Sequence, residues 1–158
     1  MTGYRALAAG LAAVVLLLNF ALEHVLVAAR GPVIFIPGLL DFIPTWNRGI
    51  SFSLFWQDGD QGRYVLIAVL VSIVALVGFF AWRSTDRLQA AGYGLVMGGA
   101  LGNLADRSLN GAVFDYLFLH LGHISLFVFN FSDLAITAGV LLLVTSQLQS
   151  PEVRVPSS

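Results

Sequence analysis

The sequence has no cysteine, no lysine and little charge of either sign. Without cysteine, disulfides, thiolate chemistry and iron–sulfur clusters are excluded. Charged residues make up 11% of the 158 positions, whereas ordinary soluble domains have about a quarter. The net charge is -1, and every basic residue is an arginine. This balance gives no electrostatic reason to expect a nucleic-acid partner.

The chain is instead rich in long apolar runs. Hydrophobic residues make up 58% of it, and its mean hydropathy is +0.84. The runs predict an all-α membrane protein with four transmembrane helices, at about residues 4–29, 64–82, 88–105 and 126–147. The first run is too long for a signal-peptide core, so we expect a retained helix. Residues 1–149 are predicted to be one membrane domain, and 150–158 a disordered tail.

The segment between the first two predicted helices has a different character. Three prolines argue against a continuous helix there: Pro32, Pro37 and Pro44. Val33–Ile36 and Ile50–Phe55 are expected to be short strands. Residues 31–63 therefore predict a small β-rich element that lies on the membrane surface.

Ionisable groups are concentrated in one later stretch. Asp106, Arg107, Asp115 and Asp133 fall within 28 residues, between and inside strongly apolar runs. A charge at membrane depth is costly, so it indicates function by default. Asp106 and Arg107 are expected to form a structural ion pair. Asp115 and Asp133 have no basic neighbour in sequence, and we interpret them as an aspartyl pair that hydrolyses a peptide bond.

Two adjacent carboxylates are suited to amide hydrolysis without a metal or other cofactor. They cannot both ionise cheaply, so they share a proton. One then activates water as a base while the other polarises the carbonyl. His120 and His123 lack the HExxH-like spacing of a zinc site, and no metal is expected. For the aspartates to meet, the chain must reverse near Gly122, with Asn103 or Asn130 in hydrogen-bonding reach.

Four short blocks of sequence together carry a family resemblance. They are Asn47-Arg48-Gly49 with Phe52, Gly102-Asn103-Leu104-Ala105-Asp106-Arg107, Gly111-Ala112-Val113-Phe114-Asp115-Tyr116, and Phe129-Asn130-Phe131-Ser132-Asp133. Each block alone is weak. Their order, spacing and placement relative to four spans resemble the bacterial lipoprotein signal peptidases, or signal peptidase II, over nearly the whole chain.

The resemblance implies a specific function. Asp115 and Asp133 match the catalytic aspartates of an endopeptidase, and six residues match positions that bind substrate or support the site: Asn47, Gly49, Asn103, Asp106, Arg107 and Asn130. Such enzymes cut signal peptides from prolipoproteins just before a diacylglyceryl-modified cysteine, so prolipoprotein and membrane lipid are the implied partners. The resemblance also implies the bacterial inner membrane, with both termini cytoplasmic. The active site and the β-rich element would then lie at the outer face.

The chain departs from the family pattern at three positions. The first helix of family members usually carries an aspartate followed four residues later by a lysine. Asn19 and Glu23 occupy those positions here. Ser132 stands where alanine is usual. Asn19 and Glu23 are therefore site residues of uncertain role.

Two other classes of function remain open from the sequence. One is a catalytically silent relative that binds lipidated peptides or a partner protein without cutting. The other is a small transporter or channel subunit, in which the aspartates would serve proton or ion movement.

Overall fold

The computed structural model describes residues 2–29, 31–49 and 60–149. In these ranges the elements are α1 (Thr2–Leu26), β1 (Val33–Ile36), β2 (Leu40–Asn47), α2 (Asp60–Trp82), α3 (Arg87–Asn110), β3 (Val113–Leu121), β4 (Ile124–Phe129) and α4 (Phe131–Gln149). The strand predicted at Ile50–Phe55 and the tail predicted at 150–158 lie outside the described residues.

Three of the described helices are long and apolar enough to cross a membrane. They are α1, α2 from Gln61 to Trp82, and α4. The chain is therefore a multi-pass membrane protein. Helix α3 has a lower mean hydropathy because polar and charged residues lie near both of its ends, among them Arg87, Asn103, Asp106 and Arg107, and its neighbours in space are the other three described helices.

Glycines let α3 approach its neighbours closely. A methyl group on Gly98 would lie 2.7 Å from Cβ of Val15 on α1. A methyl group on Gly92 would lie 2.9 Å from the carbonyl oxygen of Gly139 on α4. Both distances are too short for carbon atoms, so larger residues would push the helices apart. Small residues at such close contacts are typical of packed membrane helices.

The four strands form one antiparallel sheet in the order β1-β2-β3-β4. The prediction of β1 is confirmed, but the predicted sheet was too small. Strands β3 and β4 form a hairpin that reverses at Gly122, where φ is +56°. The reversal near Gly122 is therefore confirmed. The β-rich element is not confined to residues 31–63, because two of its described strands, β3 and β4, come from the segment before α4.

The fourth predicted helix began too early. Residues 126–129 belong to β4, and α4 begins at Phe131. The sequence from Ser125 to Phe129 is apolar without clear alternation, and such a short run does not distinguish a strand from a helix. Pairing with β3 decides between them.

Strand β2 lies where a connection between strands was expected. Its register with β3 shifts between Phe42 and Thr45, a stretch that contains Pro44. Proline cannot donate to a sheet ladder and is tolerated at such irregularities. Beyond the shift, Asn47 at the end of β2 pairs with Val113 at the start of β3.

Aromatic side chains pack the sheet against the helix ends. Phe42, Phe114 and Tyr116 form a buried cluster, against which Leu26 of α1 and Phe131 of α4 pack. The hydroxyl of Tyr116 also accepts a hydrogen bond from the backbone N–H of Phe131, at 3.2 Å. This packing places the centre of β3 beside the first turn of α4.

Helices α2 and α3 are longer than predicted, and the additional turns contact each other. Helix α2 begins at Asp60 and includes Arg63, while α3 continues to Asn110. The Arg63 guanidinium donates to the carbonyl oxygens of Arg107, at 2.9 Å, and Ser108, at 2.6 Å. Gly111, with a φ of +78°, ends α3 in the left-handed conformation that glycine adopts readily. A cation near the last carbonyl groups of a helix also interacts favourably with the helix dipole.

Candidate active site

Asp115 is a buried carboxylate near the start of β3. The residue is only 3% exposed to solvent. Oδ2 accepts from Nδ2 of Asn47, at 2.9 Å, and Oδ1 accepts from Nδ2 of Asn130, also at 2.9 Å. Asn47 is itself held, because its Oδ1 accepts from the backbone N–H of Gly49 at 3.0 Å. Both oxygens of Asp115 are thus fixed by amide donors.

Asp133 is held by the hydrogen bonds that begin α4. The backbone N–H of Asp133 donates to Oδ1 of Asn130 at 3.0 Å, and the backbone N–H of Asn130 donates to Oδ2 of Asp133 at 3.2 Å. This reciprocal arrangement is a capping box, with Asn130 as the N-cap. The remaining oxygen, Oδ1, accepts from Nδ2 of Asn103 at 2.9 Å. The candidate catalytic carboxylate of Asp133 therefore also stabilises its own helix end.

Asn130 joins the two aspartates into one network. Besides capping α4, its Nδ2 donates to Oδ1 of Asp115 and, at 3.2 Å, to Oδ1 of Asn103. Asn103 in turn donates to Asp133. Asn130 is 1% exposed, so these bonds are shielded from water. The sequence alone does not reveal this network, because its members come from α3, β3 and the start of α4.

Both aspartates line one cavity of about 240 Å³. Its polar wall also includes Asn47, Asn103 and Arg107. Besides Val113 of β3, its apolar wall comes from α2: Leu66, Val69, Leu70 and Ile73. An adjoining apolar groove of about 430 Å³ runs along α2 and shares Val69 and Ile73 with the cavity. These α2 residues are all apolar, so nothing in the sequence distinguished them from other residues of a membrane helix. The site therefore has one polar side and one side that continues onto an apolar helix surface.

Arg107 contributes a cation to the same cavity. Its guanidinium nitrogen Nη2 donates to the carbonyl oxygen of Gly49 at 2.7 Å. Asp106 instead accepts from the backbone N–H of Phe114 at 3.4 Å. Among the described residues, no arginine nitrogen lies within 4.0 Å of a carboxylate oxygen. The predicted Asp106–Arg107 ion pair is therefore wrong, because neighbouring positions on a helix point in different directions.

Burial and neighbouring charge change the acidity of Asp115. Burial raises its pKa to about 6, the hydrogen bond from Asn47 lowers it, and the negative charge of Asp133 raises it. The bond from Asn130 and the charge of Arg107 lower it further. The net effect is a carboxyl group that retains a proton at a higher pH than an ordinary aspartate.

The two first-helix residues of uncertain role lie at different places. Asn19 is buried and contacts the start of α4, where the hydroxyl of Ser132 donates to its Oδ1 at 2.8 Å. Glu23 lies nearer the end of α1, accepts from Nδ2 of Asn110 at 3.3 Å, and interacts with the carboxyl of Asp106. Asn19 is thus adjacent to the aspartate network, and Glu23 borders it through Asp106.

Comparisons with known proteins find relatives of this chain over most of its length. The family model described as signal peptidase (SPase) II matches residues 11–149. A lipoprotein signal peptidase of Methylorubrum extorquens (strain PA1) is 48% identical over 120 residues, which are 75% of this chain and 68% of that protein. A lipoprotein signal peptidase of Rhizorhabdus wittichii is 38% identical over 162 residues, covering 98% of this chain and 92% of the relative.

Solved structures support the fold separately. A bacterial membrane enzyme structure determined by the in meso method at 2.3 Å resolution superposes with a TM-score of 0.78 at 20% identity, covering 96% of this chain and 93% of that one. A second, at 1.9 Å resolution, gives a TM-score of 0.77 at 21% identity, with 91% and 94% coverage. At this identity the likeness concerns the fold alone.

Proposed function

The chain belongs to the signal peptidase II family, and from that premise we propose that it is an aspartic endopeptidase that removes signal peptides from prolipoproteins. The bond cut is the one before a cysteine that carries a diacylglyceryl group. One observation carries the proposal: Asp115 and Asp133 line the same cavity, and Asn130 is bonded to both, through its side-chain amide to Asp115 and through its backbone N–H to Asp133. Paired carboxylates at one cavity are suited to activating water.

The proposed reaction uses one shared proton. With one aspartate ionised and the other protonated, the ionised carboxylate removes a proton from water as the water oxygen attacks the peptide carbonyl. The protonated partner gives its proton to the carbonyl oxygen. When the tetrahedral intermediate collapses, the aspartate that gave up its proton takes one back from a hydroxyl group of the intermediate. The carbon–nitrogen bond breaks, and the leaving nitrogen takes the proton that the other aspartate had removed from water. Asn47, Asn103 and Asn130 hold the carboxylates in place, and Arg107 fixes the Gly49 carbonyl at the cavity edge.

Cleavage of a lipidated prolipopeptide by the purified protein in detergent or liposomes tests the function directly. We expect a single cut before the modified cysteine, and a matched peptide without lipid should be cut poorly. Binding of the lipidated peptide without cleavage would instead identify a silent relative. Ion flux in liposomes with neither binding nor cleavage would favour the transporter.

We propose that the acyl chains of the substrate lie along α2. The apolar groove on that helix shares Val69 and Ile73 with the cavity that contains the aspartates. Aliphatic chains could therefore remain in an apolar environment while the peptide bond reaches the carboxylates. Such burial contributes about 0.8 kcal/mol per methylene group.

Ile73→Trp should obstruct the junction between groove and cavity. Excluding two or three methylenes at about 0.8 kcal/mol each would raise KM for a lipidated peptide roughly tenfold or more, with a smaller effect on kcat. Val71→Trp is the matched control, because Val71 is 50% exposed on the same helix and does not line the groove. Steady-state kinetics of both variants check this. Equal effects of the two substitutions would contradict the proposed lipid path.

We further propose that the chain is one integral membrane domain over residues 1–149 with four spans, α3 being the additional one. The inner membrane is the proposed location, with both termini cytoplasmic and the sheet and cavity at the outer face. Helix α3 packs against the other three helices, so its glycines contact protein and it needs less hydropathy than a lipid-facing span.

The absence of cysteine makes this topology directly measurable. Thr85 precedes α3, His123 follows it in the β3–β4 turn, and both are exposed. In otherwise cysteine-free protein, His123→Cys should react with a membrane-impermeant maleimide in intact spheroplasts. Thr85→Cys should react only after permeabilisation. If both positions are labelled from the same side, α3 does not span the membrane.

Activity should fall as pH rises above about 6, since the pKa of Asp115 is raised to about 6 and the pair loses its shared proton there. Asn47→Ala removes a donor that favours the ionised form of Asp115. The pKa of Asp115 should therefore rise, and the alkaline limb of kcat/KM should move to higher pH even though the maximum rate decreases. A pH–rate profile of the two proteins measures this, and a limb that stays fixed or moves to lower pH contradicts the assignment.

A further inference from the structure

A buried hydrogen bond connects α1 to the first turn of α4. The hydroxyl of Ser132 donates to Oδ1 of Asn19 at 2.8 Å. Ser132 is fully buried and Asn19 is 4% exposed. These are two of the positions at which the chain departs from the family pattern, and the structure brings them into direct contact although they are 113 residues apart.

The bond lies immediately beside the aspartate network. Ser132 precedes Asp133 in α4. Gly102, which precedes Asn103 in α3, lies against both partners of the bond: an added methyl group there would collide with Ser132 Oγ and lie 3.3 Å from Cγ of Asn19. The next residue along each helix forms the Asn103–Asp133 hydrogen bond. Three helices therefore meet at one contact, one residue away from the side chain that binds Asp133.

As a contribution to stability alone, this contact is poor. Nδ2 of Asn19 is buried and has no hydrogen-bond partner among the described residues. A buried amide group left unpaired reduces stability, and two well-packed apolar side chains at the same positions would be nearly neutral or better. The polar pair instead fixes the position of α4 relative to α1, because a hydrogen bond constrains distance and angle in a way that apolar packing does not.

We propose that Ser132 and Asn19 are positioning residues that set the first turn of α4 relative to α3, and so hold Asp133 against Asn103 in the geometry for catalysis. Neither side chain touches the reacting atoms; both act through Asp133. The inference rests on the proposed function, since it assigns these residues to the reaction that Asp133 is proposed to perform.

The test compares matched serine variants on one helix. Ser132→Ala removes the hydroxyl that bonds Asn19. Ser146→Ala is the control, because Ser146 is also buried on α4 and donates to a side chain, Oδ2 of Asp86, at 3.1 Å near the opposite end of the helix. Ser132→Ala should lower kcat roughly 10- to 100-fold, as expected for a displaced catalytic group, with KM changed less than about twofold. Ser146→Ala should leave kcat and the pH–rate profile unchanged.

A double variant separates positioning from stability. Ser132→Ala with Asn19→Leu replaces both polar partners, so the melting temperature should return toward that of the unmodified protein. The loss of kcat should persist in the double variant, and its pH–rate profile should differ from that of the unmodified protein. If kcat recovers together with the melting temperature, or if Ser132→Ala behaves like Ser146→Ala, the contact is only structural and the inference is wrong. If Ser132→Ala alone does not fold, the double variant decides by the same criterion.

The same assay distinguishes this failure from failure of the function. If the unmodified protein does not cleave the lipidated peptide, or if Asp133→Asn still cleaves it, the proposed function itself is wrong. If the unmodified protein cleaves, Asp133→Asn does not, and the double variant regains full kcat, only the positioning role is refuted.

Discussion

Asp115→Asn and Asp133→Asn should each abolish cleavage of a lipidated prolipopeptide while leaving the protein folded and inserted. Each substitution keeps the size and planarity of the side chain but removes a carboxyl group from the pair that shares a proton. General acid–base catalysis contributes about 10²- to 10⁴-fold to rate, and the pair supplies both the base and the acid. We therefore expect kcat to decrease by at least about 10³-fold in either variant.

The two substitutions should have similar effects on stability. Asp133 accepts the backbone N–H of Asn130 as part of the capping box, and an asparagine oxygen can still accept that bond. Asp115 accepts two amide donors, one on each oxygen. An asparagine there presents an N–H toward one of them, and an asparagine at Asp133 presents an N–H toward Nδ2 of Asn103. The two variants should therefore lower the melting temperature by similar amounts, which thermal unfolding in detergent measures.

Asp41→Asn is the matched control for both variants. Asp41 is a carboxylate on β2 of the same sheet, and its partner is His120, at 3.2 Å. It does not line the cavity that contains the aspartates. The same chemical change at this position should leave kcat near that of the unmodified protein. If Asp115→Asn or Asp133→Asn retains near-normal turnover, or if Asp41→Asn loses activity equally, the assignment of the aspartyl pair is wrong.

Asn130→Ala should produce the next largest loss, because it affects stability and catalysis together. Removal of the N-cap destabilises α4 by about 1 kcal/mol. The same change removes the donor to Asp115 and the donor to Asn103, so both carboxylates lose a fixed neighbour. We expect kcat to fall roughly 100-fold, the cost of displacing a catalytic group by about an ångström.

Asn130→Ser separates the capping of α4 by Asn130 from its contacts with Asp115 and Asn103. A serine hydroxyl can cap the helix by accepting the backbone N–H of Asp133, but it is too short to reach Asp115 and Asn103 as the amide does. The melting temperature should therefore recover most of the loss seen in Asn130→Ala, while kcat stays low. Activity that recovers in parallel with stability would show that Asn130 is only a cap. A comparison of kcat and melting temperature across the three proteins is sufficient.

The sequence by itself determined the class of protein and much of the site's chemistry. Long apolar runs predicted α1, α2 and α4 as membrane helices, because a chain that enters a bilayer must satisfy its backbone hydrogen bonds internally. The scarcity of charge made Asp115 and Asp133 conspicuous. Four spaced blocks carried the family resemblance, and the family is confirmed. These conclusions depend on composition and local order, which a sequence displays directly.

Only the tertiary structure decided how the candidate residues are arranged. The sequence predicted a helix from residue 126, but β4 occupies that position because β3 pairs with it. It suggested an ion pair between Asp106 and Arg107, yet helix geometry sends the two side chains to different partners. It identified Asn130 as a site residue without revealing that one amide both caps α4 and contacts Asp115.

The sequence also did not predict the apolar wall from α2 or the hydrogen bond between Ser132 and Asn19. The physical reason is common to all of these features. Each depends on how closely α1, α3 and α4 approach at glycines such as Gly102, and on the register of a sheet whose strands come from two distant segments. Distances of this kind are set by packing between elements, so local sequence determines which groups are present and tertiary packing determines which of them meet.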